Sequence, residues 1–297
     1  MPPPVMRLSV DASRRGPSLL GSRSQNAIDF ELHRSEFGYG RSSWRGEMGK
    51  ARLLDTLDER VDQLVPGEGE CWQFDRNVTD VFENMLARSI PEYGTMRALV
   101  FDLGATLVQP GTAIIDIGCS KGDALAPFVR HFGTANRYIG VELSETMLEA
   151  GRRRFAALIG QGMVDIRRLD LRAEYPPEMA SLTLAVLTIQ FTPIEYRARI
   201  MQRIAGQTLP GGGVILVEKV LGSSAHFEEL LARRYYALKA VNGYTAEQIE
   251  RKRLALEGVL VPVAARWNED LLREAGFNQV ECFWRWCNFA GWIAIKN

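Results

Sequence analysis

Two spacings of apolar residues alternate along the body of this chain. Short apolar runs at 113–117, 138–142, 164–167, 182–189, 213–218, 280–285 and 292–295 have the length and β-branched content of buried strands. Between them, apolar residues recur at helical spacing over 123–132, 145–158, 193–205 and 269–275. Two further helices precede the alternation, at 78–86 and 93–103, with Pro91 between them. Alternating β and α units predict a parallel sheet covered on both faces. The 286–291 link is too short for a crossover, so the last two strands are expected to form an antiparallel hairpin at one end of the sheet.

One segment stands outside this alternation. Residues 226–259 read as two helices broken at Asn242-Gly243-Tyr244, in an insertion spanning about 223–262. Its apolar stripe of Leu230, Leu231, Tyr235 and Leu238 fits a lid or a subunit contact equally as well as a second layer on the chain's own sheet. The first 52 residues differ again: arginines at 7, 14, 15, 23, 34, 41 and 45 lie among serines, glycines and prolines without periodicity. Such a segment buries too little apolar surface to offset its ordering entropy, and a disordered tail is expected before a single domain over 53–297. An organellar transit peptide and a true start at Met48 are the alternatives.

Composition narrows the function. The 36 basic and 36 acidic residues cancel, so the overall field offers no steering toward nucleic acid. Four scattered cysteines and three histidines argue against a metal site and for a reducing cytoplasm. No apolar run has spanning length.

The candidate chemistry begins at Ile114-Ile115-Asp116-Ile117-Gly118-Cys119-Ser120-Lys121-Gly122, where a buried strand ends in an acid and a glycine-bracketed turn. That order places a nucleotide-like ligand at the carboxyl end of a first strand, with Gly118, Cys119 and Ser120 against it. The turn is neither G-x-G-x-x-G nor a P-loop, so a cofactor without phosphates, S-adenosylmethionine (SAM), is expected. Glu142, with Leu143 beside it, ends the second strand and can accept from both ribose hydroxyls. Asp170 follows the third strand, placed to accept from the adenine amine while Leu171 packs on the ring. Asp116 can fix the first loop or take the cofactor's ammonium. Ser144 and Glu145 read simply as a helix cap and first-turn acid.

A further set of pieces carries a resemblance: Arg88-Ser89-Ile90-Pro91-Glu92-Tyr93, Gly118-Cys119-Ser120, Thr188-Ile189-Gln190-Phe191, Glu218-Lys219, Asn242-Gly243-Tyr244 and Lys252-Arg253. Together with the hairpin-ended sheet, they resemble the carboxy-S-adenosylmethionine (carboxy-SAM) synthase family, of class I methyltransferase fold. The resemblance implies a mostly parallel seven-stranded sheet and a reaction of SAM with prephenate. Prephenate's ring carboxyl leaves as CO₂, which the deprotonated SAM methyl captures to give carboxy-SAM and phenylpyruvate, a supply of carboxymethyl donor for tRNA wobble-uridine modification. It further implies a homodimer in which Arg253 enters the neighbouring subunit's site and, with Tyr93, holds the new carboxylate. A charge-assisted contact of that kind is worth about 1.5–3 kcal/mol. One position departs from the pattern: Val186 stands where the family has an asparagine that contacts the cofactor. That departure, with the aromatic cluster Phe283, Trp284 and Trp286, supports a second reading, a (carboxy)methyltransferase acting on a small metabolite.

Overall fold

The structure, a computed structural model, describes residues 71–297. The tail expected over 1–52 and the domain start near 53 lie outside the described residues. Three helices come first: α1 (Arg76–Asp80), α2 (Phe82–Ser89) and α3 (Tyr93–Ala105). The alternating body follows as β1 (Ala113–Ile117), α4 (Ala126–Phe132), β2 (Arg137–Glu142), α5 (Glu145–Arg154), α6 (Ala156–Gly160), β3 (Val164–Arg168), β4 (Ala180–Val186), α7 (Ile194–Gln207) and β5 (Thr208–Leu221). The insertion is α8 (Ala225–Val241) and α9 (Ala246–Ala255). The chain then closes with β6 (Val263–Ala264), α10 (Ala265–Glu274), β7 (Gln279–Trp286) and β8 (Phe289–Ile295).

The strand order is β3-β2-β1-β4-β5-β8-β7, parallel through β5, with β8 antiparallel to both β5 and β7. This is the expected hairpin-ended sheet. The two-residue β6, pairing in parallel with β5, is an eighth strand too short to leave a periodic signature. Both faces are covered because the central strands β1, β2, β4 and β5 are apolar on both sides. Ile114 packs into one buried cluster with Phe128 and Leu182, while its neighbours Ile115 and Ile117 pack into another with Ile139 and Leu216. A third cluster joins Trp72, Phe82 and Met85 of the leading segment to Tyr244 and Ile249 of the insertion.

Several boundaries differ from expectation, for identifiable reasons. The expected helix over 145–158 breaks at Phe155, whose ring occupies the space beside Gly122; a Cβ there would lie 2.3 Å from it. The fourth strand stops at Val186 rather than 189. Leu187 turns the chain at φ 59°, and the Glu218 carboxylate then accepts from the backbone N–H groups of Ile189 (2.9 Å) and Gln190 (2.7 Å), curling residues 189–191 into a 3-10 turn. The helix expected over 78–86 is interrupted at Val81, and α10 starts four residues before the expected 269.

Candidate active site

A cavity of about 840 Å³ opens at the carboxyl ends of β1, β2 and β4. That volume is toward the upper end of the roughly 300–1,000 Å³ usual for small-molecule sites. Its floor is the strand-end loops, its near wall is α2 and α3, and its cover is the inner face of α8 and α9. Tyr235, Tyr236, Lys239, Ile249 and Lys252 of the insertion all face it, so the insertion walls the site, and the stripe read from sequence divides. Tyr235 turns inward, buried against Phe289 at 5.5 Å between ring centroids, while Leu230 is exposed.

The cover is fastened by the motifs that marked the resemblance. Arg88 Nε donates to Asn242 O (2.9 Å), and Asn242 Nδ2 donates back to Arg88 O (2.9 Å). Ser89 and Tyr244 share a hydroxyl–hydroxyl hydrogen bond of 3.1 Å. Similarly, Glu218 and Gln190 form one unit, because Gln190 Oε1 accepts from Lys219 N at 2.7 Å. These pieces are far apart in sequence and meet as packing pairs.

The floor is acidic. Asp116 is 1 % exposed, its Oδ2 is buried without a hydrogen-bond partner, and burial pushes its carboxyl up to about 8, against the pull of Arg97 and with the push of Asp123 and Glu142. Glu142 is also raised by burial. Its Oε1 accepts from Leu143 N (2.8 Å) and Ser144 N (2.9 Å), and its Oε2 from Ser120 N (2.9 Å). The carboxylate therefore shapes the loop and keeps one acceptor position for a ligand, where the sequence suggested two. Asp170 lines the cavity, but both its oxygens are gripped by the Arg172 side chain, which holds its carboxyl below the usual range. An adenine amine there competes with that fork. Leu143 and Leu171 supply apolar surface beside it.

The turn itself is built for a different reason from the one read in sequence. Gly118 has φ +64°, and a Cβ on it would lie 2.3 Å from Thr188 Cγ2. Its lack of a side chain admits Thr188, whose Oγ1 donates to Ile117 O at 2.9 Å, before it admits any ligand. Ser120 takes φ 49°, and Cys119 is buried with its thiol pushed well up by burial.

The cover, by contrast, is cationic. Lys239 is 4 % exposed and Lys252 8 %, and with Lys219 they line the cavity. They interleave with aromatic rings. Lys219 and Lys239 lie 5.1 and 5.4 Å from the Tyr235 centroid, Lys239 and Lys252 lie 5.2 and 5.7 Å from that of Tyr244, and Lys252 is 4.7 Å from Trp72. No ion pair or hydrogen bond to their ammonium groups is found among the described residues. Burial lowers all three, Lys239 to about 8 with Lys219 adding to the effect. Ring contacts worth about 0.5–2 kcal/mol each do not offset desolvation of several kcal/mol per ion.

These lysines were missed in the sequence reading. Ile249, Lys252 and Leu256 share one helical face, which puts Lys252 inward, but the run Glu250-Arg251-Lys252-Arg253 masked that spacing. Arg253 itself is on the exposed side, at the cavity rim, bound through Nε and Nη2 to the two oxygens of Glu250 at 2.9 and 2.7 Å. Tyr93 opens α3 and lines the cavity, its phenol raised by burial. Val186 lies half-buried at the end of β4, against the cavity. Phe283, Trp284 and Trp286 are on β7 outside the cavity lining, where Phe283 fills the space above Gly291 and Trp286 lies under Arg234. The support they lent to the small-metabolite reading falls away.

The residues fit SAM. A desolvated, unpaired carboxylate at Asp116 calls for a cationic ligand, and the sulfonium nucleoside brings two positive groups. Among the described residues no group of three or more His, Cys, Asp or Glu is placed to hold a metal ion, and no helix is long and apolar enough to cross a membrane.

Comparison with known proteins agrees with this geometry. A methyltransferase-domain family model matches residues 114–212. The fold is similar to an O-methyltransferase family protein from Burkholderia thailandensis (TM-score 0.52, 16 % identity, 75 % of this chain and 61 % of that one). It is also similar to the citrinin polyketide synthase CMeT domain (TM-score 0.51, 16 % identity, 74 % and 55 %). The chain spans less than two-thirds of either, and the likeness is one of fold. Much stronger is the match to carboxy-S-adenosyl-L-methionine synthases: 38 % identity with that of Methylococcus capsulatus over 75 % of this chain and 93 % of the relative. The Wolinella succinogenes protein gives 38 % over 76 % and 93 %, and that of Klebsiella pneumoniae 33 % over 76 % and 91 %. Identity of that order across nearly the full length of each relative, on a strand-end site fitted to a sulfonium nucleoside, makes this chain a member of the carboxy-S-adenosyl-L-methionine synthase family, SAM-dependent transferases of class I methyltransferase fold.

Proposed function

We propose that the protein converts SAM and prephenate to carboxy-SAM, phenylpyruvate and water, and that carboxy-SAM serves as the carboxymethyl donor for wobble-uridine modification in tRNA. Loss of the ring carboxyl as CO₂ expels the ring hydroxyl as hydroxide, which takes the proton the SAM methyl gives up as its carbon captures the CO₂. The observation that carries this reading is the polarity of the cavity: a buried acid with a partnerless oxygen, Asp116, lines it at the strand ends, and the buried lysines Lys239 and Lys252 line it from the cover. Such a chamber suits a cationic cofactor meeting an anionic partner. SAM brings a methyl group activated by its sulfonium. Asp116 anchors its positive end, Glu142 shapes the loop beneath the ribose, and the cover excludes bulk water from the reacting carbon.

The active species in this proposal is a homodimer, with Arg253 leaving Glu250 to meet the carboxylate in the neighbouring subunit's site beside that subunit's Tyr93. Exposed Phe227, Leu230, Val241 and Leu254 on the same insertion supply an apolar face for the second copy. The free thiols of Cys71, Cys119, Cys282 and Cys287 suit a reducing cytoplasm, and the balanced charge leaves tRNA to a downstream enzyme rather than to this one.

Incubation of the protein with SAM and prephenate, read by mass spectrometry, tests the reaction: carboxy-SAM and phenylpyruvate are expected in equal amounts. Arg253→Met is expected to weaken retention of carboxy-SAM by about 10- to 100-fold, the worth of one charge-assisted contact. S-adenosylhomocysteine binding should stay within about twofold, and equal loss of both ligands refutes the role. The second reading, a (carboxy)methyltransferase on a small metabolite, keeps one observation in its favour, apolar Val186 at the cofactor side of the cavity. It predicts bound SAM with no product from prephenate.

A further inference from the structure

The cationic cover asks for an occupant. An ammonium group buried without a counter-charge is destabilising, and proteins retain one where a ligand supplies the missing anion. Here the arrangement is repeated along one line, Lys219–Tyr235–Lys239–Tyr244–Lys252–Trp72, with Lys239 and Lys252 each between two rings and Lys219 against one. The acid whose charge acts on Lys219 is Glu228, short of an ion pair, and its Oε2 accepts from the backbone N–H of Gly222 at 2.6 Å. Arg88 stands over the Tyr244 ring at 4.4 Å and adds further positive potential. Of the acids that line the cavity, Asp116, Asp123, Glu142 and Asp170 belong to the strand-end floor, and Glu257, beyond α9, is paired with Arg253 at 3.8 Å.

We infer that Lys219, Lys239 and Lys252 form a second-substrate subsite for a small dianionic acid with a flat apolar body, distinct from the strand-end cofactor subsite within the same cavity. Two charges on the ligand are called for because two of the three lysines, Lys239 and Lys252, are buried residues without an ion pair among the described residues, and a single carboxylate leaves at least one uncompensated. The flat body follows from Tyr235, Phe289 and Trp72, which line the cavity beside the lysines. Lys239 and Lys252 are on the cover, in α8 and α9, and Lys219 stands near the end of β5, beyond the ends of β1 and β2 where SAM is anchored, so they set affinity for the acid and not for the cofactor. This assignment deepens the proposed reaction and rests on it for the name of the acid, but not for the charge of the ligand.

Lys239→Met and Lys252→Met keep side-chain length and remove the charge. In wild-type protein that turns over prephenate, each is expected to raise KM for prephenate by about 10- to 100-fold while the Kd for SAM stays within twofold. Unchanged KM in a variant that binds SAM overturns the subsite and leaves the proposed reaction intact. If wild-type protein does not turn over prephenate, the reaction is lost and the subsite is tested with malonate and succinate against monoanionic benzoate by thermal shift. Stabilisation of wild type by the dianions, absent in Lys239→Met, supports it; equal response in both proteins, or none in either, overturns it. The ligand-free melting temperature separates a structural role. Methionine at 239 or 252 is expected to raise it by relieving a buried charge, and a fall shows that the lysines serve the fold.

Discussion

At the scale of single residues, Asp116 has the clearest consequence. With its carboxyl raised to about 8 by burial, the ligand-free protein keeps it protonated at neutral pH. A cationic cofactor must then displace that proton. Cofactor affinity is expected to rise as pH approaches 8, by at most about tenfold per unit, and to level off above it. Calorimetry at pH 7 in buffers of different ionisation enthalpy should show close to one proton released per site, and Asp116→Asn should remove that release. Linkage gives a second sign: a raised carboxyl stabilises the ligand-free fold at low pH, and that share is lost as pH climbs through 8. Val186 offers a test in the opposite direction. Val186→Asn restores a polar group to the cavity wall, and one neutral hydrogen bond of about 0.5–1.5 kcal/mol should tighten SAM by about two- to tenfold in equilibrium binding. No tightening would mean that the β4 end does not touch the cofactor.

At the scale of elements, the turn after β1 and the 3-10 turn after β4 are one construction. Gly118 and Thr188 occupy each other's space. Gly118→Ala is therefore expected to destabilise the protein by about 1–3 kcal/mol and abolish SAM binding, since the new Cβ meets Thr188 and φ is positive. Thr188→Ala alone should be far milder, and the pair of changes should recover part of the loss in a denaturation series. A Gly118→Ala protein as stable as wild type would refute the coupling. Much of the element order was legible in the sequence, because β1, β2, β4 and β5 are apolar on both faces, β3 alternates Val164 and Ile166 with charged residues, and the helices between them keep a single stripe. What was hidden depended on contacts between distant segments. The end of β4 is set by a carboxylate about 30 residues away, at Glu218, and the break at Phe155 by its fit against Gly122. The strand-end acids could be named from position, yet Glu142's use of its oxygens on its own loop and Asp170's capture by Arg172 required coordinates. Lys239 and Lys252 escaped notice because a lysine in a charged helix is ordinarily solvated, and only the facing of the helix shows otherwise.

At the scale of the whole molecule, the insertion has two faces of different character. Its inner face closes the cavity, and its outer face carries Phe227 at 53 % and Leu254 at 52 % exposure. If that outer face meets a second copy, Phe227→Glu should shift the protein to monomer in sedimentation and reduce carboxy-SAM retention as strongly as Arg253→Met, while the fold and the strand-end site persist. A monomeric variant that retains carboxy-SAM fully would sink the shared site.

The reciprocal pair between Arg88 and Asn242 has a mechanical consequence. It ties the roof to α2, and only three residues separate α2 from Tyr93. Lifting α8 and α9 to admit a ligand therefore tugs on the helix that carries Tyr93. A shift of the roof is thereby expected to reach the Tyr93 phenol, the two moving as one piece.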